Sequence, residues 1–379
     1  MSLGPSTNGA PGTIRYGMFI MPFHDPAKPL AQCFDEDLEL IVRAEELGFD
    51  EFWIGEHHTM KYEPIVMPEI FIGRALGETH KIRIGPAPVC LQQHHPAHVA
   101  SRLAFLDHLS KGRLNLCFGA GSVTADQELF GIDPKQAQAM VDEAIDIILY
   151  LWSSEPPYEY QGKFWQISLK KFVDQETGIG FIHKPLQRPL PPIAIPAMSR
   201  NSPSMKMAGA QGYQPFSHCL VAGNVLADHW RTYEAAALAA GRTPHRGDWK
   251  VSRSIFLADT TEEALRRVRN NSLGRNYEYI GTLFDRGLGR RIYKRDPEMS
   301  DADCNLDFLM TEQIIAGDVD EVLRRLLDLI EETGTFGTLV LMSYDWDDKA
   351  SWMRSMELFV HELMPALNKA VGSVAMVGG

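Results

Sequence analysis

Residues 52–58 read FWIGEHH, in which a short apolar run ends abruptly in one carboxylate and two imidazoles. Such a run is typical of a β-strand that leads into a polar loop. In proteins that alternate strands and helices, ligands bind at the carboxyl ends of parallel strands. An imidazole titrates near neutral pH and suits acid–base chemistry there. Adjacent histidines on a loop are also common as solvated residues, so the remaining sequence must decide.

Strand-like and helix-like segments alternate along the chain, and eight βα units can be counted. This alternation predicts a parallel sheet, and eight units favour a single (β/α)8 TIM barrel, of the α/β class, over a doubly wound open sheet. Insertions are expected in two connecting loops, a hairpin within 153–192 and an irregular segment over 270–311. Strands are predicted at 14–20, 52–55, 82–91, 114–118, 193–197, 213–218, 249–257 and 338–343.

The domain organisation is simple. Residues 1–13 are expected to be a disordered leader or an expression remnant, because their Gly, Pro, Ser and Thr content lacks the parts of a signal peptide. One barrel domain is expected over 14–370. We expect no membrane span, since the sequence has no apolar run of about 18 uncharged residues.

Composition restricts the partners. The formal net charge of −12 argues against nucleic acid and anionic membranes. Five cysteines without a CxxC pair indicate reduced thiols, and therefore a cytoplasmic protein without a disulfide scaffold or a cysteine–zinc site.

The third predicted strand contains two prolines, Pro86 and Pro88. Proline cannot donate a hydrogen bond to a sheet, so the pair indicates a bulge or a cis bond, and we predict a cis bond between Ala87 and Pro88. The alternative is that this segment is not a strand.

Two loops could bind an anion or a flat ring. Residues 119–122, GAGS, begin like a dinucleotide fingerprint but lack its third glycine, and still allow close approach to the backbone. Residues 199–204, SRNSPS, follow the fifth strand and open a helix, where free N–H groups and the helix dipole would hold a phosphate. The alternative for the second loop is an ordinary helix cap.

Residues 94–98, HHPAH, suggest a metal site, but Pro96 interrupts the helix that would align His94 with His98. No carboxylate lies at ligand spacing, so no metal site is predicted.

With these motifs together, the sequence resembles the bacterial luciferase-like, flavin-dependent monooxygenases over about residues 14–367. It is most similar to the branch that includes limonene and diketocamphane monooxygenases. The segments that carry the resemblance are 53–58, His95-Pro96, Ala100, Leu106-Asp107, 110–113, 119–121, the Ser-Pro-Ser helix entry, and Ala208-Gly209 with Gly212.

The resemblance implies a TIM barrel that uses reduced FMN (FMNH2) from a separate NAD(P)H:flavin reductase. Oxygen would add at the flavin C4a position, and the resulting peroxide would oxidise a small apolar carbonyl or alkene. It implies a homodimer, with His57 as the catalytic residue and His58 in support. The implied cofactor contacts are His57, Ala87, Gly121, Ser122, Ala197, Met198, Ser199 and Ser202, and the implied substrate contacts are Phe23 and His24.

The chain departs from luciferase itself. The positions of a reactive cysteine and a phosphate-binding arginine are Gly119 and Ala120 here. Light emission is therefore not expected, and Ser199, Ser202 and Arg200 are the candidate phosphate donors.

Two other functions stay open. One is hydride transfer with the deazaflavin F420 on the same fold, and the other is a non-catalytic flavin-binding subunit. Segment 270–311 is expected to be a mobile lid, with hinges at Gly274, Gly281, Gly287 and Gly289 and with Arg286, Arg290 and Arg291 near the cofactor.

Overall fold

A computed structural model describes residues 13–20, 23–286 and 289–377, with side chains as far as residue 372. The expected leader therefore lies outside the described residues, apart from Thr13. The strands are β1 (Arg15–Ile20), β2 (Glu51–Ile54), β3 (Arg83–Pro86), β4 (Val89–Cys90), β5 (Leu116–Gly119), β6 (Tyr158–Gln161), β7 (Gln166–Leu169), β8 (Ile193–Ala197), β9 (Gln214–Ser217), β10 (Lys250–Leu257), β11 (Ile314–Gly317) and β12 (Thr338–Ser343).

The helices are α1 (Leu30–Glu46), α2 (Pro68–Ala75), α3 (Pro96–Leu109), α4 (Thr124–Leu129), α5 (Ala137–Ser153), α6 (Pro203–Gln211), α7 (Gly223–Ala239), α8 (Thr261–Val268), α9 (Ser272–Asp285), α10 (Leu306–Glu312), α11 (Val319–Thr333), α12 (Lys349–Leu358) and α13 (Met364–Val377). Among the described residues, none of these helices is both long enough and apolar enough to cross a membrane.

The main sheet is mostly parallel, and its strand order is β3-β2-β1-β12-β10-β9-β8-β5-β4, with β11 paired to β10. β1 and β12 pair along their full lengths, from Arg15 with Thr338 to Ile20 with Ser343. β3 and β4 are two pieces of one predicted strand, so the order begins and ends on that strand. The TIM-barrel fold class is confirmed.

The break between β3 and β4 is the irregularity that the prolines predicted. The peptide bond between Ala87 and Pro88 is cis, which confirms the prediction. The N–H of Ala87 still donates to the carbonyl of Ile54 at 2.7 Å. The segment is therefore an interrupted strand.

The first insertion is a hairpin, as expected, because β6 and β7 pair antiparallel. A carboxylate of α5 fixes its turn, since Glu143 accepts from the backbone N–H groups of Lys163, Phe164 and Trp165 at 2.8, 3.0 and 2.9 Å.

The second insertion is only partly irregular. The prediction missed the helices α9 and α10, whereas the described residues between these helices form only loops and short turns, as expected. Residues 272–285 form helix α9, whose first N–H groups are capped by the side chain of Asn271. Its Tyr277 packs with the fully buried Tyr293, with ring centroids 6.1 Å apart. The cap and this burial outweigh the helix cost of two internal glycines. A lid role stays a prediction, and its proposed hinge Gly287 lies outside the described residues.

The described chain divides into two compact units, residues 54–194 and residues 13–53 with 195–377. In the first unit, α5 packs on α3, and the indole N–H of Trp152 donates to the carbonyl of Ala100 at 3.0 Å. In the second unit, Trp230, Trp249 and Phe336 form a buried aromatic cluster.

The second unit also buries an ion pair. The ammonium of Lys250 lies 2.8 Å from one carboxylate oxygen of Glu51 and 3.0 Å from the other. The indole of Trp53 donates to the same carboxylate at 2.9 Å. Both charged side chains are almost completely buried, and mutual pairing offsets the cost of removing them from water. Gly17 is required beside them, because an added Cβ would lie 2.8 Å from Cγ of Glu51.

Candidate active site

The chain beyond β2 carries His57, the predicted catalytic residue. Its N–H donates to the carbonyl of Ile65 at 3.0 Å, so the polar loop folds back along the motif. The imidazole is 16 % exposed and lies between two acids. Its Nε2 is 3.0 Å from Oε2 of Glu63, and its Nδ1 is 3.7 Å from Oδ2 of Asp126. His57 is therefore the accessible member of a charged triplet.

The second acid of this triplet is itself firmly held. Asp126 lies in the first turn of α4 and accepts from the backbone N–H groups of Thr59 at 2.7 Å and His58 at 3.2 Å. Burial acts to raise its pKa, but the contacts with His57, Thr59 and His58 outweigh this and lower the pKa to about 2. The carboxylate is thus ionised across the physiological range.

Electrostatics make His57 a cation. Burial acts to lower its pKa, but the charges of Glu63 and Asp126 prevail and raise the pKa to about 10. Glu63 is 1 % exposed, and within the described residues neither of its oxygens accepts a well-aligned hydrogen bond. The imidazolium is therefore a proton donor and a positive charge rather than a ready base.

A second network begins one residue earlier. Oε1 of the buried Glu56 lies 2.6 Å from Nε2 of His94 and 3.3 Å from Nε2 of His58. Its other oxygen accepts from the N–H of Cys90 at 2.9 Å. Burial acts to raise the pKa of Glu56, but the hydrogen bonds of both imidazoles outweigh it and lower the pKa to about 2.

Three of the predicted cofactor contacts lie in the first unit, which also contains His57. Ala87 is buried at the break between β3 and β4. Gly121 has φ +62°, and an added Cβ would lie 2.8 Å from the sulfur of Cys90, so the close approach explains this glycine. Ser122 is exposed in the loop that leads into α4.

The predicted phosphate loop lies in the second unit, between β8 and α6. Ser202 is the N-cap residue of α6 and only 3 % exposed, yet its side chain does not cap the helix. The carbonyl of Ala197 accepts from the N–H of His218 at 3.1 Å, and the carbonyl of Ser199 accepts from Nε2 of His229 at 2.9 Å. Met198 is half-buried and Ser199 is exposed.

Other polar groups of this loop are already engaged. Arg200 donates to the side-chain oxygen of Asn224 at 3.0 Å and to the carbonyl of Arg295 at 2.7 Å. The N–H of Asn201 donates to the carboxylate of Asp228 at 2.5 Å. Ser202 and the first N–H groups of α6 therefore fit an anion better than Arg200 does.

The predicted substrate contacts lie in the second unit. His24 is 4 % exposed, with Nδ1 2.7 Å from Asp345 and Nε2 3.0 Å from Asp37. Burial acts to lower its pKa, but these two hydrogen bonds raise it to about 9. The ammonium of Lys28 lies 2.9 Å from Asp345. The ring of Phe23 packs on the ring of Tyr279, with centroids 5.3 Å apart.

Sequence reasoning missed the four acids that surround the two histidines. Glu63 ends the polar stretch behind the motif, so its proximity was a usable signal. Asp126, Asp37 and Asp345 are brought to the imidazoles by the fold from distant positions, and nothing in their local sequence marks them.

Comparison with known proteins identifies the family to which the chain belongs. The model of the luciferase-like monooxygenase family matches residues 14–335. The 3,6-diketocamphane 1,6-monooxygenase of Pseudomonas putida is 32% identical over 372 residues, which covers 93% of this chain and 97% of the relative. Limonene 1,2-monooxygenase of Rhodococcus erythropolis is 29% identical over 367 residues, with coverages of 95% and 88%.

A comparison with solved structures supports the same family. The oxygenating constituent of 3,6-diketocamphane monooxygenase from the CAM plasmid of Pseudomonas putida, in complex with FMN, matches with a TM-score of 0.84 and 31% identity. The match covers 93% of this chain and 98% of that one. The branch that the sequence motifs favoured is confirmed. By family model, sequence and fold together, the chain belongs to the luciferase-like monooxygenase family.

Proposed function

We propose that the protein is the oxygenase of a two-component system, which uses FMNH2 from a separate reductase to oxidise a small apolar carbonyl or alkene with O2. The observation that carries this proposal is the accessible His57 between two buried acids, in a chain of a monooxygenase family. The names of the diketocamphane and limonene monooxygenases support the substrate class.

Reduced FMN, when bound, would supply the electrons that activate O2. Around it, we assign contacts to His57, Ala87, Gly121 and Ser122. His57 holds a proton between Glu63 and Asp126 and presents it, with its positive charge, to negative charge that develops at the reacting atoms. The fixed acids keep the ring oriented for this role.

The FMN phosphate is assigned to Ala197, Met198, Ser199 and Ser202. The buried hydroxyl of Ser202 is not used to cap α6, and the N-terminal N–H groups of that helix favour an anion. His229 fixes the carbonyl of Ser199, so the loop is held in place for the phosphate. These residues fit the group.

Substrate contacts are assigned to Phe23 and His24. Phe23 offers an apolar ring, which suits a hydrocarbon. Both ring nitrogens of His24 are bound to carboxylates, so its contact with substrate would come through the carbons of the ring.

We further propose a single domain over residues 14–370, a homodimer and a cytoplasmic location. Apolar side chains exposed on two neighbouring helices support the dimer, namely Ile70 on α2 and Phe105 and Leu109 on α3. Five buried free cysteines agree with a reducing compartment.

The test is a reconstituted assay with FMN, NADH and O2, with and without a flavin reductase, on a panel of cyclic ketones and monoterpenes. We expect oxygenated product only when the reductase is present. Steady NADH oxidation by the chain alone, or reduction of a carbonyl with reduced F420 and no oxygen uptake, would overturn the proposal.

A second test addresses the phosphate contact. Ser202→Ala should weaken the binding of FMN more than the binding of riboflavin, because riboflavin lacks the phosphate.

A further inference from the structure

We propose that Glu56, His58 and His94 form a binding site for one divalent transition-metal ion of the zinc class. One ligand atom from each of the three residues lies within 4.8 Å of the other two. Two imidazole nitrogens and one carboxylate oxygen form a donor set that suits zinc and its transition-metal neighbours, whereas magnesium and calcium favour oxygen donors.

The donor atoms need little adjustment. Tetrahedral zinc with bonds of ~2.1 Å holds its ligand atoms roughly 3.4 Å apart. Oε1 of Glu56 and Nε2 of His58 are already 3.3 Å apart. The distance from the same oxygen to Nε2 of His94 is 2.6 Å, so the His94 ring would have to move slightly away from Glu56.

Contacts around the three residues fix their orientation. The N–H of Cys90 donates to the second oxygen of Glu56 at 2.9 Å, which leaves Oε1 turned towards the imidazoles. The ring of His58 packs edge-on against Phe130, with centroids 4.8 Å apart. Outer contacts of this kind orient metal ligands and strengthen binding.

Access and coordination number agree with an open site. The carboxylate is 1 % exposed, while the side chains of His58 and His94 are 16 % and 10 % exposed. An ion can therefore enter from the side of the imidazoles, and water can complete the shell. Three protein ligands and one water are typical of open zinc sites.

The site differs from what the sequence suggested and from the charged triplet of His57. Sequence reasoning considered His94 with His98, but His98 is exposed on α3 while His94 faces Glu56. His57 contacts Glu63 and Asp126 instead. The proposal therefore goes beyond the proposed function and does not depend on it.

The experiment uses the full chain, without an affinity tag, treated with chelator and free of flavin. Calorimetric titration with Zn²⁺ should give one equivalent per chain, and Co²⁺ should give the visible absorption bands of a tetrahedral site. Zn²⁺ should raise the melting temperature, because an ion that binds only the folded chain stabilises it. Mg²⁺ should neither bind at one equivalent per chain nor raise the melting temperature.

Two variants and one control make the test decisive. His94→Ala should weaken Zn²⁺ binding by at least about tenfold, and Glu56→Gln should do the same. His98→Ala, the matched exposed imidazole, should bind as the parent does. A stoichiometry well below one, or equal binding by His94→Ala and His98→Ala, would mean an adventitious ion only and would overturn the proposal. Both outcomes are independent of oxygenase activity.

Discussion

His57 and His24 have similar neighbours, but they differ in how exposed the imidazole is and in how fully its nitrogens are hydrogen-bonded. Each imidazole lies between two carboxylates, and in each case these raise the pKa well above the ordinary value. His24 is 4 % exposed, and both of its nitrogens are hydrogen-bonded, whereas His57 is 16 % exposed and has one contact as long as 3.7 Å. The difference teaches that positive charge alone does not identify a reactive histidine, because access and unused bonding capacity also matter.

The largest expected effect is on turnover at His57. His57→Ala should lower product formation by on the order of 10²–10⁴-fold, the range for loss of a general acid. Circular dichroism checks that the variant is folded, because the buried Glu63 and Asp126 lose their shared cationic partner. His98→Ala is the control. If His57→Ala forms product at the parental rate, the distinction between the two histidines fails.

The next effect is on stability at His24. His24→Asn removes the cation between Asp37 and Asp345 and leaves two buried acids short of a partner, at a cost of about 3–5 kcal/mol in the free energy of unfolding. Urea unfolding measures it. The exposed pair Lys349–Glu39 is the control, since Lys349→Ala should cost less than about 1 kcal/mol. Equal losses in the two variants would contradict a structural role for His24.

The smallest effect is a pH dependence. The folded pKa of His24, about 9, exceeds the ordinary value of 6.5, so its stabilisation is complete below pH 6.5 and is lost as the pH rises through 9. The stability difference between parent and His24→Asn should shrink by roughly 3 kcal/mol from about pH 6 to about pH 9. The contribution of His57 to the pH dependence is the same in both proteins and therefore cancels in the difference. A constant difference would show that His24 is not charged in the folded state.

Most of the fold could be predicted because strands and helices recur with clear periodicity. The exceptions have physical reasons. Helix α9 contains Gly274 and Gly281, which lowered its helical signal, and its Asn271 cap was not recognised. β11 has only four residues, is buried throughout and ends in a glycine, so it lacks the alternation of a typical strand.

The candidate site was predictable only where chemistry is local. The prolines beside Ala87 and the imidazoles after β2 are visible in consecutive residues, and the cis bond is confirmed. Asp126 and Asp345 reach their histidines through the fold, which a single sequence does not reveal. The assigned roles of Phe23 and Ser202 stay predictions.

The buried pair of Glu51 and Lys250 constrains how this sequence can diverge. Replacing either residue alone breaks a buried ion pair of the second unit, at a cost of about 3–5 kcal/mol, which is a large part of the stability of a typical domain. Replacing both with well-packed apolar residues can be neutral. The two positions, 199 residues apart in the chain, are therefore inherited as one unit, and descendants should keep both charges or lose both together.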